Sequence, residues 1–113
     1  MAVKPMTGQA FFVLTALAGG PRHGYGIVGE VDELSRGRVR LKIGSLYGVL
    51  DRLREAGLIV VDREEIVESR LRRYYVLSDA GAERLTVEAE RMRRNAAAAT
   101  RRLRALRPEA GTL

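Results

Sequence analysis

The 113-residue sequence has no cysteine, no tryptophan and a single histidine, His23. The absence of cysteine excludes a disulfide framework and a thiolate metal site, and it suits a reducing compartment. One histidine with no ligand set or triad around it points to a residue at a loop or helix start rather than to catalysis. No metal and no cofactor are expected. Long apolar runs are also missing. No window holds the roughly 18 uninterrupted apolar residues of a membrane span, and the opening MAVKPMTGQAFF lacks the apolar core of a secretion signal. No membrane partner is expected, and the expected location is the cytoplasm. Gly19, Gly20, Gly24 and Gly26 do not form a phosphate loop, because Gly24-Tyr25-Gly26 follows a helical pattern and not a strand. Enzyme chemistry is therefore not expected.

What is present reads as one globular domain: 46% of residues are hydrophobic and 30% charged. The net charge is +6, which favours polyanionic partners, nucleic acid above all. Residues 1–78 carry 12 basic and 9 acidic residues and residues 79–113 carry 8 and 5, so the excess is not a basic tail. A chain this short buries only a modest fraction of its surface, and a second copy could share its core.

Residues 8–18 are apolar nearly all round, so a helix there must be covered on more than one side. Gly19-Gly20-Pro21 ends it. Residues 24–35 place Ile27, Val28, Val31 and Leu34 at helical spacing. Residues 36–42 form a basic connector whose alternation is compatible with a short extended piece. In residues 44–56, Leu46, Val49, Leu50 and Leu53 make one apolar stripe, and Gly57 is a natural stop. Residues 58–63 and 71–77 read as strands with a polar turn holding Glu64, Glu65 and Glu68. Ser78 or Asp79 can cap a last helix running to about Arg107, before Pro108. Three helices, a hairpin and a long helix make a mainly α chain with a small β hairpin: a winged helix-turn-helix over residues 1–78, then a dimerisation helix and short tail over 79–113, one compact domain overall.

In that fold the third helix enters the major groove. Its first turns carry small residues and hydroxyls, with Ser45, Tyr47 and Gly48 the contact candidates and Arg52 at the edge; a merely solvated polar face is the plainer alternative. On the hairpin, Arg70, Arg72, Arg73 and Tyr74 suit phosphate contact, with Arg63 on the paired strand, whereas the glutamates favour an edge strand charged against aggregation. Tyr75 shares a strand face with Leu77 and is assigned to the core. On the last helix, Ala82, Leu85, Ala89, Met92, Ala96, Ala99, Leu103 and Leu106 recur at spacings of 3, 4, 3, 4, 3, 4 and 3. That is a heptad stripe on a helix about 40 Å long. It can meet a second copy, the first helix of its own chain, or each at a different end. A hydrophobic effector cavity or cleft near the dimer axis is expected, lined by Phe11 or Phe12 and Leu14 of the first helix and by the last helix around Met92 and Ala96; a filled interface is the alternative.

The runs HGYGI (23–27), GSLYGVLDRLREAGLI (44–59) and RRYYVLSDAG (72–81), in this order, resemble the PadR family of bacterial regulators over roughly residues 8–107. The single long helix after the hairpin is similar to the compact branch of that family. The resemblance implies a homodimeric repressor on a palindromic operator in double-stranded DNA. It matches Ser45, Tyr47 and Gly48 to the recognition-helix motif, Tyr25 to the tyrosine at the start of the second helix, and Arg72 and Arg73 to the basic wing. It further implies release by a phenolic or planar hydrophobic effector held between the first and last helices, although a chain without tryptophan has no indole to stack on one. A DNA-binding regulator is the leading expectation. A winged helix used only for protein contacts is the rival, separable by whether sequence-specific, salt-sensitive DNA binding exists.

Overall fold

A computed structural model describes residues 6–106. The elements are α1 (Gly8–Ala18), β1 (Arg22–His23), α2 (Gly24–Leu34), α3 (Ile43–Glu55), β2 (Ile59–Val67), β3 (Arg70–Leu77) and α4 (Asp79–Leu106). This is a mainly helical winged helix with a small antiparallel sheet ordered β1-β3-β2.

Each helix starts and stops for local reasons. The Thr7 hydroxyl accepts the Ala10 N–H at 3.1 Å and opens α1. Ser78 opens α4: its hydroxyl accepts the Gly81 N–H at 3.0 Å and donates to the Gly57 carbonyl at 2.6 Å. The stripe Leu46, Val49, Leu50 and Leu53 of α3 is buried in full, against Val13, Leu14, Ala16 and Leu17 of α1, Ile27 and Val31 of α2, Leu41, Ile59 and Tyr75. Burying α1 on two sides answers its near-continuous apolar sequence: it packs on α2 and also meets α3, β3 and α4.

The sheet differs from expectation at three places. The basic connector 36–42 forms no strand. Buried Ser35 gathers it into a turn, its hydroxyl accepting the Val39 N–H at 2.9 Å and donating to the Val39 carbonyl at 3.2 Å, while Arg36 and Gly37 take φ of 55° and 77°. The third strand is instead β1, pairing Arg22 with Tyr75 and His23 with Tyr74. Finally, β2 runs on through Val67. Glu64 and Glu65 lie in the strand and not in the turn, because each faces an arginine, Arg73 and Arg72 respectively. The turn itself is only Glu68-Ser69, with φ of 51° and 66°, the left-handed pair that suits a tight hairpin.

The direction of α4 is set at Gly81, which is buried where a Cβ would stand 2.0 Å from the Leu58 carbonyl oxygen. One turn on, Leu85 packs on the protomer's own core. Glu88 follows, 4% exposed, its carboxylate held by Arg84 at 3.4 Å and by Arg91. The Arg91 hydrogen bond is the main reason the Glu88 carboxyl lies below its ordinary pKa, against the opposing effect of burial. Beyond Arg91 the helix leaves the core, and the expected end at Arg107 lies outside the described residues.

Candidate nucleic-acid interface

The start of α3 is open. Lys42 at the N-cap makes no side-chain hydrogen bond to the helix, so the first N–H groups of α3 point outward unsatisfied by a cap. Ser45 and Arg52 are exposed and Tyr47 is half exposed. Gly48 leaves a shallow place on this surface: a Cβ there would meet only the Arg52 guanidinium, at 3.8 Å. Tyr47 leans toward α2. Its hydroxyl would lie 3.1 Å from a Cβ at the buried Gly24, so the missing side chain at 24 is what lets the phenol lie over the start of α2. Tyr25 follows immediately and is 70% exposed.

The arginines of the hairpin are in unequal states. Arg73 is paired with Glu64 at 3.2 Å, and its hydrogen bonds, to Tyr75 first and then Glu64, hold its pKa above the ordinary value. Arg63 pairs with Asp62 at 3.3 Å and lies 4.0 Å over the Tyr74 ring. Tyr74 in turn meets the edge of the His23 ring at 5.4 Å. Arg70 and Arg72 form no ion pair among the described residues. His23, Tyr25, Tyr47, Arg70, Arg72 and Arg73 together line a cleft of about 550 Å³ between the helix starts and the hairpin.

Of the contact residues expected from the sequence, Tyr25, Tyr47, Arg70, Arg72 and Arg73 thus share one cleft. Ser45, Gly48 and Arg52 are not part of its lining; they are spaced three and four residues apart along α3 and so share one face of that helix. His23 is an addition to the expected residues. It caps α2, its Nδ1 accepting the Gly26 N–H at 3.4 Å, and burial, then Arg72, lower its pKa against a smaller opposing effect of Glu65. The signal for it in the sequence is its place directly before a helix start and between Arg22 and Tyr25.

The stripe on α4 divides. Leu85 belongs to the protomer's own core, whereas Ala89, Met92, Ala96, Ala99, Leu103 and Leu106 are exposed, with Leu106 76% exposed. Of the residues expected to line an effector cleft, Phe11 and Phe12 are half-buried and stack edge to face at 5.4 Å. Leu14 is fully buried in the core beside Val13 and Leu17 on α1. Among the described residues no cluster of three His, Asp or Glu is placed to hold a metal ion, and no helix is long and apolar enough to cross a membrane.

Residues 13–87 match the family model described as "Transcriptional regulator PadR-like family". The chain is 42% identical over 82 residues to an uncharacterised 37.1 kDa protein in transposon TN4556 of Streptomyces fradiae; the match takes in 73% of this chain and 22% of that protein, so the chain spans about a fifth of the relative's length. Among solved structures it is similar to a PadR family transcription regulator from Clostridium difficile R20291, with a TM-score of 0.73 at 23% identity, over 86% of this chain and 99% of the other. It is also similar to Bacillus subtilis PadR, solved in complex with operator DNA, with a TM-score of 0.61 at 26% identity, over 68% of this chain and 44% of that one. The matched family is one of transcriptional regulators and not of enzymes. The chain, by the match of its core and hairpin, belongs to the PadR-like family of transcriptional regulators.

Proposed function

We propose that the protein is a cytoplasmic, sequence-specific DNA-binding regulator that represses transcription as a homodimer on a palindromic operator. The observation that carries this reading is the convergence of α2, α3 and the hairpin on one cleft, with Arg70 and Arg72, which form no ion pair among the described residues, on one wall and Tyr25 of α2 and Tyr47 of α3 on the other. Ser45, Tyr47, Gly48 and Arg52 face the major groove, with Tyr25, Arg70, Arg72 and Arg73 on phosphates. The exposed run Ala89, Met92, Ala96, Ala99, Leu103 and Leu106 supports pairing with a second copy, since a protomer of this size leaves it uncovered. Two copies present two α3 helices to half-sites about 34 Å apart. A small hydrophobic or aromatic effector, held between Phe11 and Phe12 and the stretch around Met92 and Ala96, releases the DNA.

Sequencing the DNA that co-purifies with the protein identifies the operator. Fluorescence anisotropy on that operator and on a scrambled duplex, across a salt series, then tests the reading. Specific binding should weaken steeply with salt, by about 0.9 log units per log unit of salt for each phosphate contact. Equal, negligible binding to both duplexes favours a winged helix that contacts proteins, to which Glu64, Glu65 and Glu68 on the hairpin are suited.

A further inference from the structure

We propose that His23 is itself a phosphate-contact residue of the cleft and takes up a proton when duplex DNA binds, so that binding tightens below neutral pH. The proposal rests on the DNA-binding reading above. It begins with placement. β1 registers His23 against Tyr74, and the two rings meet edge to face. His23 lines the cleft together with Tyr25 and Arg72. Its Nδ1 accepts from Gly26, so in the neutral ring the hydrogen sits on Nε2, a donor that helix capping leaves unused. At 3.4 Å the cap bond is long, and giving it up on protonation costs little.

The charges around the ring decide its state. β3 contributes Arg70, Arg72, Tyr74 and also Arg73, the last already paired with Glu64, and β2 contributes Glu65 and Arg63, the latter over Tyr74. The hairpin turn contributes Glu68, α2 Tyr25 and α3 Tyr47; on its own strand Arg22 is already paired with Glu30 of α2 at 3.6 Å. The cleft is therefore basic, and burial and Arg72 together favour the uncharged ring. A phosphate entering the cleft reverses this field: it neutralises Arg72 and itself attracts an imidazolium. Proton uptake and phosphate binding are then linked, each favouring the other.

The composition makes this readable. With one histidine and no cysteine, His23 is the only side chain whose ordinary pKa lies near neutrality. The probe is a random-sequence duplex of roughly 30 base pairs, since a phosphate contact is independent of sequence. Its affinity for the full chain is measured by anisotropy between pH 5.5 and 8 at fixed low ionic strength, alongside His23→Gln, which keeps an uncharged acceptor for Gly26. Wild type should tighten as pH falls, by up to about tenfold per pH unit for each histidine contact, and His23→Gln should lose that dependence. The carbon-bound imidazole protons give a single set of NMR signals, so their titration midpoint in wild type should move up on adding the duplex. If His23→Gln does not fold, that midpoint decides alone. An unchanged midpoint, or the same pH slope in both proteins, overturns the proposal while leaving DNA binding intact. No binding of any duplex at any pH overturns the DNA-binding reading and this proposal with it.

Discussion

Gly81→Ala offers a test in which two physical effects predict opposite signs. Position 81 lies in the first turn of α4, where helix propensity alone favours alanine by at most about 1 kcal/mol. The packing opposes it. A Cβ at 81 would stand 2.0 Å from the Leu58 carbonyl oxygen, against about 3.3 Å for a close carbon–oxygen approach. The neighbour is backbone, so no side chain can swing aside. α4 must move off the start of β2 by more than about 1 Å, at the cost of about 1–3 kcal/mol typical of overpacking. That movement also pulls on the bonds from the Ser78 N–H to the Leu58 carbonyl (3.1 Å) and from the Ser78 hydroxyl to the Gly57 carbonyl (2.6 Å), each worth about 1 kcal/mol. A net loss of about 2–4 kcal/mol follows, or a Tm lower by about 10–20 °C at this size. The comparison is Gly29→Ala in the interior of α2, where a Cβ meets nothing within 4 Å; it should raise stability by about 0.5–1 kcal/mol. Thermal melts followed by circular dichroism, at one fixed protomer concentration, give both values. If Gly81→Ala melts at or above wild type, the close approach does not set the direction of α4.

The remaining predictions concern the two surfaces. Met92→Asp would bury an unpaired charge in the proposed seam, so light scattering should fall from twice the chain mass to once; a wild type that is monomeric at micromolar concentration refutes the seam itself. Arg72→Ala should weaken binding to every duplex and lower the salt slope by about 1 for each phosphate no longer neutralised, whereas Arg73→Ala should do less, because Glu64 already holds Arg73; equal effects would show that the Glu64 pair breaks on binding at no cost. Gly48→Glu has room in the free protein, where only Arg52 is near, so it should fold and pair normally yet lose specific binding, and normal operator binding by this variant would remove α3 as the reader. Glu88 titrates below its ordinary value because Arg91, chiefly, and Arg84 favour its ionised form. Its stabilisation is therefore present above about pH 4.5 and is lost as pH falls through its lowered pKa; Tm should drop on acidification across that range, and by less in Glu88→Gln.

Much of the fold was legible because its signals are local. The stripe Leu46, Val49, Leu50 and Leu53 repeats within one helix, and the same residues are buried. Gly19-Gly20-Pro21 and Ser78 act on the chain beside them, and the boundaries of α1 and the start of α4 fall where they direct. The candidate interface was legible in part, since arginines and tyrosines crowded into 70–75 announce a basic strand whatever it pairs with.

The rest depended on pairing between distant segments. Two residues cannot display a period, so β1 is visible only as the partner of Tyr74 and Tyr75. Glu64 and Glu65 look like turn residues until Arg72 and Arg73 stand opposite them. Each arginine faces a glutamate in this register, yet Glu64 pairs with Arg73 whereas Glu65 lies 3.9 Å from Arg63 and Arg72 has no ion pair among the described residues, a difference that two adjacent arginines cannot reveal in sequence. On α4 the heptad stripe was plain, yet tertiary packing gave Leu85 to the protomer's own core, buried the charged Glu88 off the stripe, and left Met92 onward uncovered. Periodicity is written along a single segment, so the sequence by itself determined where the helices lie and which faces are apolar. What covers each face, and which charges meet, was decided only when the segments packed.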